Sequence, residues 1–180
     1  MKKILLLVIL VIFSHQATAE VISFELFKAI NQRLAYMEDV ALFKAHHHLA
    51  IEDIEREKIV IDKAKTSAYE KGLDPDSVEE FFKAQISVAK AIQFRYRADL
   101  LSQPSSQEPK DLQREIRPHL LSLGDQIIQQ MAAYLEAYGS FKPAGFADFD
   151  AALTVGYVTV SDKQLLFRAL QKVELLRKTD

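Results

Sequence analysis

Apolar residues recur along most of this chain at intervals of three and four, the spacing of a helix face, and seldom in the alternation of a half-buried strand. From about Ser23 to His46 the line Leu26, Ile30, Met37 and Val40 predicts a first helix. A second is expected from about Ile51 to Lys71, stopped by Gly72, which readily takes the left-handed conformation at a helix C-terminus. "GLDPDSVEE" reads as a helix start: Asp74 is the N-cap, Pro75 the first helical residue, and the first-turn acids favour the positive end of the helix dipole. That third helix should reach about Leu101. The Pro-, Ser- and Gln-rich segment "SQPSSQEPKD" at 102–111 predicts a linker. A fourth helix follows from about Leu112 to Tyr138, in which Pro118 demands a kink or marks where regular helix begins. Beyond "GSFKPAGF", residues 146–180 predict one short and one longer helix, with the β-branched "LTVGYVTV" at 153–160 open between helix and strand. The fold class is therefore all-α, a bundle of about six helices.

The first residues follow another logic. Lys2 and Lys3 precede an apolar run from Ile4 to Phe13, and Ala17-Thr18-Ala19 follows it. The run is too short to span a bilayer as a helix, and the small residues form a cleavage site, so residues 1–19 are expected to be a secretory signal peptide removed before Glu20. Residues 20–180 then form a single domain, with 141–180 as a divergent helical part at its C-terminal end, and the mature protein is periplasmic or secreted with no membrane contact.

Composition narrows the function classes. The chain has 180 residues, no cysteine and a formal charge of −2, which becomes more negative once Lys2 and Lys3 are lost. Without thiols there is no disulfide, thiolate metal site or lipoprotein anchor. No Lys/Arg cluster is long enough to track phosphates, so nucleic acid is not an expected partner. "FRYRADL" at 94–100 alternates aromatic and basic residues but on a helix is more simply a mixed face. His46, His47 and His48 point about 100° apart on a helix and cannot share one metal, so a loop or helix-end role is expected and no metal site is assigned.

The informative feature is charge on the inward lines. On the first helix the apolar line also passes through Arg33 and Lys44, which are eleven residues apart and so point the same way about three turns apart. One reading is that both snorkel, burying only their methylene stems. The second helix weighs against it, because its inward line starts with Asp53, Arg56 and Glu57 before Val60, Ala64 and Ser67. The third carries Phe82, Gln85, Ala89, Ile92 and Tyr96, with Gln93 a turn beyond Ala89. Charges buried without partners cost several kcal/mol each, and the cationic excess calls for an anion, such as a small ligand with carboxylates held by guanidinium forks.

With these residues in hand the sequence resembles the all-helical chorismate mutases, and among them the secreted subclass. The resemblance runs through "RLAYMEDVALFK" at 33–44, "IEDIERE" at 51–57 and "GLDPDSVEEFFKAQISVAKAIQ" at 72–93, and more weakly through the helix after the linker. It implies an isomerase that rearranges chorismate to prephenate in aromatic amino acid biosynthesis, a unimolecular pericyclic step needing no cofactor. It also implies a type II-like bundle, a homodimer and one pocket per chain. By the same resemblance Arg33 and Arg56 contact the substrate carboxylates, Lys44 and Gln93 donate to the ether oxygen, and Asp53 and Glu57 lie near the ring hydroxyl. A further arginine is expected from "IRPHLLSL", Arg117 by register, with Arg114 as the alternative.

One position departs from the family pattern. Ala89 stands where Ser or Thr is common, so a hydroxyl contact is missing or supplied elsewhere, with affinity rather than chemistry expected to suffer. Ala89 and the divergent tail also support a second class, an exported helical binding or sensor module for a small dicarboxylate that has lost catalysis. Lys44 and Gln93 speak against it, since a carboxylate binder has no use for two donors aimed at an ether oxygen.

Overall fold

A computed structural model describes residues 2–177, with side chains from residue 22 onward. Among the described residues there are six α-helices and no β-strand beyond one isolated bridge. They are α1 (Lys2–His46), α2 (Ile54–Glu70), α3 (Pro75–Ser102), α4 (Arg117–Tyr138), α5 (Phe146–Ala152) and α6 (Val160–Leu170). The all-α expectation is met. Among the described residues no helix is long and apolar enough to cross a membrane.

Local chemistry explains most boundaries. α1 starts well before the expected Ser23, since no Gly or Pro interrupts residues 2–46. The signal-peptide assignment falls on 1–19, whose side chains lie outside the described residues. α1 stops at the histidines: the His47 ring Nδ1 donates to the Phe43 carbonyl at 2.8 Å, and His48 takes a positive φ of 53°. α2 begins at Ile54 rather than Ile51, because Asp53 is its N-cap and accepts from the Arg56 amide at 3.1 Å, which leaves 49–53 as a loop. Gly72 sits at φ 73° and Asp74 caps α3 by accepting from the Ser77 amide at 2.7 Å, both as expected. Before α4 the chain makes one wide π-helical turn, Leu112–Ile116, and regular helix begins at Arg117, so Pro118 sits in the first turn without kinking it. The ambiguous segment resolves as a loop leading into α6, which Thr159 and Asp162 close with a reciprocal capping box.

α1 lies against α3 and α4, and α2 closes the bundle against α3 and α4. The predicted line of α1 is buried throughout, including Arg33 and Lys44. The C-terminal part covers other faces of the bundle. Phe149 of α5 meets Phe27 edge-on at 5.2 Å and lies 5.3 Å from Phe167 of α6, while Arg95 of α3 donates to Asp162 at 2.6 Å. Residues after α6 dock on the α2–α3 turn: Leu175 bridges Leu73, the Asp74 amide donates to the Glu174 carbonyl, and the Leu176 amide donates to the Gly72 carbonyl.

Candidate active site

Between α1, α2, α3 and α4 lies a cavity of about 260 Å³. Its wall includes Arg33, Lys44, Asp53, Arg56, Glu57, Gln93 and Arg117, so every site residue expected from sequence faces one space. Arg114, the alternative to Arg117, does not line it and is exposed on the π-helical turn. The apolar part of the wall comes from Met37, Val40, Phe82, Leu120 and Ile128 among others.

Arg33 does not snorkel. It is 6% exposed, its Nε has no hydrogen-bond partner among the described residues, and its guanidinium lies 5.8 Å from the Phe82 ring centroid, close enough for a cation–π contact. Burial, followed by repulsion from Arg56, pulls its pKa down to about 10, so it remains charged at neutral pH. An ion held dry with an unused donor is poised for an anion that completes its hydrogen bonds.

Lys44 is 7% exposed, and its ammonium donates to the Ile51 carbonyl in the α1–α2 loop. An ammonium has three donors, so this bond orients the group and leaves others to face the cavity. Burial lowers the Lys44 pKa; Asp53 and Glu57 oppose that change, whereas Arg117 and Arg97 add to it. Gln93, 5% exposed, donates through Nε2 to the Ala89 carbonyl at 3.1 Å and faces the Met37 sulfur at 3.6 Å. A thioether is a weak acceptor that an ether oxygen would displace easily.

Asp53 serves two elements. One oxygen caps α2 through the Arg56 amide, and the other accepts from Arg117 Nη2 of α4 at 3.4 Å. The helix start that carries Arg56 and the guanidinium of Arg117 are thereby fixed by one carboxylate. The Arg56 pKa is lowered, first by burial and then by Arg117, with Asp53 opposing.

Among the described residues no Ser, Thr or Tyr lines the cavity, so none of them supplies the hydroxyl contact that Ala89 cannot make. Sequence reading passed over Lys90, which lines the same wall, although its place three residues before Gln93 puts it on the same side of α3. The histidines point elsewhere, and among the described residues no group of His, Cys, Asp and Glu could hold a metal ion.

A helical bundle around a largely apolar cavity set with three arginines, three lysines and an amide against three carboxylates is a receptor for a small, multiply charged anion. Comparison with known proteins makes this specific. The family model for chorismate mutase type II matches residues 17–94. A monofunctional chorismate mutase of Enterobacter agglomerans is 38% identical over 146 residues, covering 81% of this chain and 80% of that protein. A secreted chorismate mutase of Yersinia pestis is 40% identical over 150 residues, covering 81% of this chain and 78% of the relative. The crystal structure of the secreted chorismate mutase from Yersinia pestis superimposes with a TM-score of 0.78 at 39% identity, over 84% of this chain and 97% of that one. The chain belongs to the type II chorismate mutases, a family of isomerases.

Proposed function

We propose that the protein converts chorismate to prephenate in an exported setting. The observation that carries this reading is the convergence of Lys44 and Gln93 on one cavity with Arg33, Arg56 and Arg117. The arginines can bind the two carboxylates and thereby hold the flexible substrate in the compact chair-like form in which the reacting carbons meet. As the C–O bond breaks, negative charge grows on the ether oxygen, and the Lys44 ammonium with the Gln93 amide can donate to it. The rearrangement is unimolecular: one C–O bond breaks and one C–C bond forms, with no proton lost or gained. Asp53 fixes the cations, and Glu57 accepts from the substrate's ring hydroxyl.

The relatives from Yersinia pestis and Mycobacterium tuberculosis are named secreted chorismate mutases, which supports export of this chain and agrees with its N-terminal pattern. A homodimer is part of this reading, with one pocket per chain, since the residues expected from sequence already meet around a single cavity within one chain. Incubating the purified protein with chorismate and following ultraviolet absorbance tests the reading. Loss of chorismate with stoichiometric prephenate is expected. Binding without turnover would instead favour the dicarboxylate sensor, for which the alanine at 89 is the specific support.

A further inference from the structure

Lys90 lies on α3 beside Ala89 and lines the cavity, yet none of the roles above uses it. Its ammonium donates to carboxylates from two other segments, Glu57 Oε2 on α2 at 3.1 Å and Glu52 Oε1 in the α1–α2 loop at 3.2 Å. The Lys90 and Glu57 side chains are 25% and 27% exposed, so this pair is partly withdrawn from water, whereas Glu52 at 64% sits at its outer edge. Charge requires such a pairing. A carboxylate in the wall of a cavity that receives a dianion repels the ligand unless a cation offsets it. Of the three acids in the wall, Asp53 has its offset in Arg117 and Glu57 in Lys90, whereas Asp125 is exposed to water.

Resting on the assignment above, we propose that Lys90 is a positioning residue for substrate binding: it fixes the Glu57 carboxylate toward the ring hydroxyl and cancels its repulsion of the substrate carboxylates. Of the two acids assigned to the ring hydroxyl, Asp53 already has both oxygens engaged, by the Arg56 amide and by Arg117, so recognition of the hydroxyl falls on Glu57 and on what orients it.

A built-in control separates this role from simple helix packing. Lys65 of α2 makes the same kind of bridge to α3, through Asp76 and Glu79, but does not line the cavity. The experiment measures kcat and KM for chorismate in wild type, Lys90→Ala, Lys90→Arg, Glu57→Gln, the Lys90→Ala/Glu57→Gln double variant and Lys65→Ala. Because the contact binds ground state and transition state alike, Lys90→Ala should raise KM roughly five- to twentyfold with kcat held within about threefold. Lys90→Arg should recover most of the loss, and Lys65→Ala should keep the wild-type KM. If Lys90 acts through Glu57, the double variant should match Glu57→Gln within about twofold, since coupled residues do not add. Losses that multiply in the double variant, an unchanged KM in Lys90→Ala, or an equal rise in Lys65→Ala would each overturn the proposal while an active wild type left the mutase assignment standing. A wild type without turnover would overturn both.

Discussion

Arg33 and Lys44 share one line of α1, but their loss should leave different kinetic marks. On the proposed mechanism Lys44→Ala removes a donor needed more in the transition state than in the ground state, so turnover should fall on the order of 10² to 10³. Arg33→Ala should raise KM as well as lower kcat, because a carboxylate is present at every stage; steady-state kinetics on both variants separates the two effects. The pH profile has a defined sign. Lys44 acts as the charged form and burial lowers its pKa from 10.5, so activity is present below that lowered value and is lost as pH rises through it. In kcat/KM the alkaline limb should therefore begin nearer neutrality than an exposed lysine would allow. Gln93→Glu should add a second limb, since glutamate donates only when protonated and once ionised sets a negative charge against the developing one. Turnover of that variant should fall as the introduced carboxyl ionises, while wild type shows no such loss between acid and neutral pH; parallel profiles would remove Gln93 from the ether oxygen.

α3 carries two buried amides, Gln93 on the cavity wall and Gln85 away from it. Gln85 is fully buried, and its amide nitrogen and oxygen have no hydrogen-bond partner among the described residues. Replacing an unsatisfied buried amide by an apolar group of similar shape can stabilise, so Gln85→Met should gain about 1 kcal/mol and raise the melting temperature by about 2–4 °C. Thermal unfolding followed by circular dichroism checks it, and a lower midpoint would mean that the amide is satisfied in solution. Gln85 and Gln93 also show what sequence can and cannot convey. Periodicity placed both inside, because burial follows from spacing. It could not tell which faced the cavity, since that depends on which helix lies opposite. The cap of α2 was missed for a related reason. "IEDIERE" is helix-like in composition throughout, and only the competition of the Asp53 side chain for the Arg56 amide moves the boundary to Ile54. Arg117 was preferred over Arg114 by register alone, and the cavity lining agrees.

At the scale of the whole molecule the two ends of the sequence were legible to different degrees. The N-terminal pattern of charge, apolar run and small residues predicts a mature chain starting at Glu20, and intact mass of protein recovered outside the cytoplasm should show residues 1–19 removed. The C-terminal part offered helices but no destination, because contacts such as Phe27 with Phe149 pair residues too distant in sequence for any local pattern to record. Those same contacts set an order of events. The α2–α3 turn is held by Glu174, Leu175 and Leu176, about a hundred residues further along, so this contact forms only after α3 to α6 have been made. For a polypeptide proposed to cross a membrane before it works, a contact made this late leaves the turn uncovered until the segment that covers it has followed through the channel. A version ending at Leu170 should accordingly refold to a state that a protease digests faster than the complete chain, with the first cuts near Gly72.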